Sequence, residues 1–326
     1  MFSHRSLLKQ ALNIAWKHKY LWFFGLFASF IAASGSWEYQ ILTNNVNQNL
    51  VDGSYSHLNN ILAMGEMMRS FCLGIANLFQ YDFLSILNAL TIILVTLILL
   101  AIIVWLAISS QAALVDSVKK LLNSRKKDNL LSIRESLTTG HLHFWPVLGL
   151  NITIKILTCF IFLIVGLPLL FMVISNTTTL AIIYTVLFVI FIPVATGLSL
   201  IIKYAIAYQV LEKKSFVASL EHAEKLFRKN WLVSLEMAVI LFIINFLASG
   251  LILLAMSLIL LPLLLLGAVF NMGGLIIIVI ALAILLIIIV GSFLTTFQIA
   301  TWTSLFLRLK EKGGLAKLER IFRRKK

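Results

Sequence analysis

Three ionisable side chains stand inside long apolar runs of the sequence: Lys155, Lys203 and Glu236. A charge at membrane depth is costly and usually faces a cavity or a partner, so binding chemistry is expected at these positions first. Helical spacing puts Asn151, Lys155 and Thr158 on one face, and Thr196, Ser199 and Lys203 on another. Further polarity comes from Ser292, Thr295 and Thr296, with Gln298 and Thr303 nearby. The pattern points to a cytoplasm-facing polar pocket of Asn151, Lys155, Lys203 and Glu236. There the lysines would receive an anionic group such as a lipid phosphate, and Glu236 would supply the counter-charge. The competing expectation is structural: Lys203 snorkels, Lys155 pairs with Glu236, and the hydroxyls bond to nearby backbone.

Other reactive residue types lack the company that chemistry needs. His141-x-His143 offers two imidazoles, but positions i and i+2 of a helix point to different faces, and no thiolate or carboxylate partner adjoins them. Met64, Met67 and Met68 are soft-metal ligand types, yet adaptable apolar packing explains them as well. Cys72 and Cys159 are the only cysteines and form no CxxC pair. No HExxH, GxSxG, Walker A or Rossmann fingerprint occurs. The expectation is therefore no enzyme, no metal and no cofactor.

What must position these residues follows from composition. The chain has 326 residues, 60% hydrophobic and 12% charged, with mean hydropathy +1.00. A soluble domain has about 25% charged residues, so the expected class is an all-α polytopic transmembrane bundle. A spanning helix needs about 20 apolar residues. Six candidates fit: about 20–36, 83–109, 144–175, 180–208, 231–266 and 275–306. Pro146 falls at the start of the third, where its missing N–H is harmless. Pro168, Pro193 and Pro262 are expected to kink or break their spans.

The net charge of +14 is a topology signal. Of 27 Lys and Arg residues, 24 fall in four segments: before span 1, between spans 2 and 3, between spans 4 and 5, and after span 6. Basic segments stay cytoplasmic, which predicts six spans with both termini inside a prokaryotic cytoplasmic membrane. The external segment 37–82 carries Arg69 against Glu38, Asp52, Glu66 and Asp82. Leu58, Ile61, Gly65, Met68, Cys72, Ile75 and Phe79 step through it at helical spacing, which predicts an amphipathic helix. The tail 308–326 sets Leu315, Leu318, Ile321 and Phe322 among Lys and Arg. It reads as a basic amphipathic helix on the anionic inner leaflet, with lipid rather than nucleic acid as partner.

A short pattern precedes each odd-numbered span: Ala11-Leu12-x-x-Ala15, Ser136-Leu137-x-x-Gly140 and Ser219-Leu220-x-x-Ala223. Each is followed by Trp22, Trp145 or Trp231 and an apolar run. The expectation is a single transmembrane domain of three units, 3–110, 128–208 and 213–306. Each unit would be an interfacial amphipathic helix, a Trp anchor at headgroup level and a two-span hairpin.

Ser132–Leu157 and Ser215–Phe246 resemble the membrane domain of glycerophosphoryl diester phosphodiesterases and related bacterial multi-pass proteins. They share the small-Leu-x-x-small helix and the Phe-Trp or Asn-Trp step into a Leu/Ile-rich span. The stretch 15–28, AWKHKYLWFFGLFA, is similar to the start of such proteins. In that family the hydrolytic chemistry belongs to a separate soluble barrel, for which this sequence has neither room nor a matching carboxylate and His pattern. The resemblance implies a membrane module interacting with lipids or partner proteins, and carries over no catalytic residue. The alternative expectation is a small transporter or lipid flippase using the polar pocket.

Overall fold

A computed structural model describes residues 4–33, 69–70, 83–123, 133–175, 178–270 and 272–312. Met64, Met67 and Met68, nearly all of the external segment, and the tail beyond residue 312 lie outside the described residues. Among those described, the long elements are all helices: α1 (His4–Lys17), α2 (Tyr20–Ala33), α3 (Phe83–Asn123), α4 (Ile133–Leu142), α5 (Phe144–Ser175), α6 (Thr178–Glu212), α7 (Phe216–Lys229), α8 (Trp231–Val269) and α9 (Gly273–Lys312).

Among the described residues, five helices are long and apolar enough to cross a membrane: α3, α5, α6, α8 and α9. The sixth expected span corresponds to α2, an apolar helix of only 14 residues. Long stretches of these helices are apolar on every side and exposed, as at Ile92, Leu97, Leu258 and Ile277. Only a hydrocarbon surrounding makes such a surface favourable.

Of the kink or break expected at the prolines, the break does not occur. Neither Pro193 nor Pro262 breaks its helix: α6 continues for 35 residues and α8 for 39. α5 likewise continues past Pro168 to Ser175. A proline costs one backbone bond and a steric adjustment, which a helix in a bilayer tolerates because leaving the helix would expose many unpaired groups.

The helices belong to two compact units. The second comprises Ala32–Leu106 and Ile152–Leu198, and its described parts are mainly stretches of α3, α5 and α6. The first comprises Met1–Ile31, Ala107–Asn151 and Ser199–Lys326, and it holds the polar core.

In that first unit the short amphipathic helices bury their small residues. Ala11 and Ala15 of α1, Ser136 and Gly140 of α4, and Ser219 and Ala223 of α7 are all buried. Small side chains let backbones approach closely, the general rule for helix contacts in membranes. At Gly140 a β-carbon would overlap the Ser109 carbonyl oxygen of α3. Ser117 Oγ donates to Ser136 Oγ at 3.1 Å beside this contact. α1 packs against α9, tied by Arg308, which donates to Ser6 Oγ at 3.1 Å and Gln10 Oε1 at 3.0 Å. α7 meets α6 where the His222 and Tyr208 rings lie 5.7 Å apart.

The C-terminal ends of α3, α6 and α9 are themselves joined. Lys119 Nζ donates to the Leu211 carbonyl at 2.8 Å, and Lys310 pairs with Glu212 at 2.6 Å. Tyr208 and Phe306 meet edge to face at 4.8 Å. α2 leans on α9 through Gly25, whose β-position is filled by Ser292 and Thr296, and Thr296 donates to the Leu21 carbonyl at 3.2 Å.

α1, α4 and α7 each pass to the following helix through a one- or two-residue interruption: His18-Lys19, His143 and Asn230. At the last of these, the Asn230 N–H closes α7 on Leu226 and Phe227, while its carbonyl accepts from the Ser234 N–H as α8 begins.

Candidate functional site

The four residues expected to share a pocket engage different elements. Asn151, on the second turn of α5, donates its amide to Gln111 Oε1 of α3 at 3.0 Å and to its own Val147 carbonyl at 2.9 Å. Glu236, five residues into α8, lies 2.9 Å from His4 Nε2 at the start of α1. Both side chains of that pair are largely buried, at 13% and 11% exposure. Lys203 of α6 places Nζ 4.8 Å from the centre of the Trp302 ring of α9. Lys155 falls in the second unit, on the part of α5 beyond Asn151.

Lys203 is exposed although its neighbours Ile202 and Tyr204 are buried. Tyr204 turns inward, meeting Trp302 edge to face and Phe306 at a tilt, and its hydroxyl pairs with Ser234 Oγ of α8 at 2.7 Å. Ser234 stands three residues beyond Trp231, about 4.5 Å along the helix, so this bond sets the level of Lys203 close to that of Trp231.

The hydroxyls of α9 are spent on their own backbone. Ser292, Thr296, Thr301 and Ser304 each donate to the carbonyl four residues earlier at 2.7–2.8 Å. Buried polar groups need such partners, and here they leave the α9 hydroxyls few free donors for a ligand.

The aromatic anchors divide. Trp145 is 76% exposed and Trp231 54%, each at the start of its span. Trp22 instead is half-buried, donates its indole N–H to the Ala15 carbonyl at 2.7 Å, and packs on Phe293 at 5.5 Å. It is Trp16, 64% exposed, that stands outward from α1. The Trp nearest the small-residue pattern faces outward here, because α2 turns the Trp22 side of the helix onto α9.

His143 Nδ1 donates to the Thr139 carbonyl at 2.9 Å, closing α4. Among the described residues no group of three or more His, Cys, Asp or Glu is placed to hold a metal ion.

Sequence reasoning missed the partners Gln111, His4 and Trp302. His4 is 232 residues from Glu236, and nothing near it in sequence signals a bond. Trp302 carried a signal, since an aromatic in a hydroxyl-rich stretch of a span is well suited to seat a cation.

No protein-family model, curated protein or solved structure matches the chain.

Proposed function

We propose that the protein is a non-enzymatic membrane module of the prokaryotic cytoplasmic membrane, whose cytoplasmic-side helices interact with inner-leaflet lipids. The observation that carries this reading is the two-sidedness of α1, α4 and α7. Each buries small residues on the helical core, while Trp16 and Leu142 on two of them and Val217 on the third stay exposed. Arg5, Lys9, Arg134, Lys225, Arg228 and Lys229 lie on the same helices. Apolar side chains interleaved with Lys and Arg suit a helix lying in an anionic headgroup layer.

The same reading takes α2 as a sixth, short span, places both termini inside, and treats the chain as three units of interfacial helix plus hairpin. The burial of the equivalent small positions in α1, α4 and α7 supports the repeat. So does their seating on α9, α3 and α6 respectively, in each case the second helix of a hairpin. The likeness to the membrane domain of glycerophosphoryl diester phosphodiesterases agrees with a module of this kind.

A transporter or flippase is the second reading, and it loses much of its support when Asn151 and Glu236 engage Gln111 and His4. Proteoliposomes containing a fluorescent phosphatidylglycerol separate the two. The expected outcome is dithionite bleaching of the outer leaflet only, as in protein-free vesicles. Bleaching that proceeds to completion would replace the module with a flippase.

A further inference from the structure

Within the first unit, α6 and α9 run in the same direction along their inner stretches. Tyr204 meets Trp302 and Phe306, and Tyr208 meets Phe306 one turn further on. This register brings the turn before Lys203, at Ser199, level with the turn before Trp302, at Gln298. Along this seam Lys203 is exposed, Ser199 and Gln298 are partly accessible, and Trp302 lies beneath the ammonium at 4.8 Å. Among the described residues, Ser199, Lys203 and Gln298 have no hydrogen-bond or ion-pair partner. On the neighbouring stretches of α8 and α6, Glu236 is held by His4, and Glu212 by Lys214 and Lys310.

Depth decides what such a cation faces. The Tyr204–Ser234 bond keeps Lys203 about one helical turn from the level of Trp231, and an exposed Trp at the start of a span marks the headgroup region. A lysine there extends its ammonium toward phosphates, not into the acyl chains. Beyond it α9 continues as an exposed apolar stretch through Ile277, Leu282 and Ile284, a surface that acyl chains cover.

We infer that the seam is a binding site for one inner-leaflet glycerophospholipid with an acidic headgroup. Lys203 receives the phosphate, the Trp302 face holds the ammonium in place, and Gln298 and Ser199 offer donors to the ester carbonyls. The inference rests on the lipid-interacting reading above and narrows it to a specific lipid position.

Native mass spectrometry of the full chain, released from detergent in the presence of phosphatidylglycerol, tests it. The affinity for the first phosphatidylglycerol is expected to fall at least tenfold in Lys203→Met and to stay within threefold of wild type in Lys203→Arg. Phosphatidylcholine should bind wild type more weakly, and millimolar inorganic phosphate should leave the bound lipid in place. Thermal melting of each variant reports folding. If Lys203→Met does not fold, Gln298→Leu serves instead, with an expected loss of threefold or more. Unchanged first-lipid affinity in the folded variants, or displacement by inorganic phosphate, overturns the site. Loss of the seam lipid alone, with further phosphatidylglycerols still bound, supports it. Unchanged affinity alongside those further lipids refutes the seam but leaves the general reading standing, whereas no phosphatidylglycerol binding at all refutes both.

Discussion

His4 Nε2 and Glu236 Oε2 lie 2.9 Å apart, joining the first described residue of α1 to the second turn of α8 across 232 residues of sequence. Removing one partner of a largely buried hydrogen-bonded pair leaves a carboxylate that must be resolvated or protonated. His4→Ala is expected to lower stability by about 1–3 kcal/mol, and Glu236→Gln by less, because the amide still accepts a bond. A double-mutant cycle from thermal melting in detergent measures the coupling. Strictly additive losses would show that the contact contributes nothing.

Close helix approach depends on two glycines. At Gly25 a β-carbon meets the Ser292 carbonyl oxygen and Thr296 Oγ1, and at Gly140 it meets the Ser109 carbonyl oxygen, so backbone must move in both cases. Gly25→Ala and Gly140→Ala are each expected to cost about 1–3 kcal/mol, the usual range for overpacking. Gly250 has nothing within 4 Å, and Gly250→Ala should be neutral or slightly stabilising through helix propensity. Melting temperatures of the three variants give the comparison, and equal shifts would contradict it.

α6 ends at Glu212, and Lys213 follows with φ of 54°, the left-handed conformation that glycine adopts without steric cost. Lys213→Gly should raise stability by up to about 1 kcal/mol. A drop in melting temperature would mean that the lysine side chain is held by interactions that outweigh its backbone strain.

His18, between α1 and α2, has its pKa lowered from 6.5, first by burial and then by the neighbouring Lys17 charge. The folded chain therefore disfavours the protonated imidazole more than the unfolded chain does. Stability from this group is complete above pH 6.5 and is lost as pH falls through the lower folded value. Protection factors of α1 and α2, taken against the intrinsic exchange rate at each pH, should fall between pH 7.5 and pH 5, and His18→Gln should flatten that dependence. An unchanged profile in the variant would assign the effect to another group.

Membrane orientation follows from where the basic residues lie. With Cys72 and Cys159 replaced by Ser, a membrane-impermeant maleimide applied to intact cells should label Gly273→Cys and not Ser215→Cys. Both positions are exposed. Gly273 starts α9 at its apolar end, and Ser215 follows Lys213 and Lys214. The opposite labelling would invert the topology.

The sequence carried the all-helical class, the long apolar helices and the small-residue faces of α1, α4 and α7, because composition and periodicity are local properties. Runs such as 275–290 have no soluble alternative, and Ala11/Ala15, Ser136/Gly140 and Ser219/Ala223 repeat at the spacing of one helical turn. It did not carry the partners of the buried charges. Glu236 had Lys155 as its obvious counter-charge, yet it lies against His4, and Lys203 lies on Trp302. Nor did it tell Trp16 from Trp22, since both follow the same pattern and both meet Phe293 of α9, and only the tertiary packing leaves Trp16 more exposed while Trp22 is half-buried and bonded to the Ala15 carbonyl. Whether a proline breaks a span was equally undecided, because the answer depends on the surroundings of the helix and not on the residue. What the sequence determined by itself is which segments must leave water. Which polar groups then meet was decided by tertiary structure, because helix axes and rotations are set by close packing between segments distant in the chain.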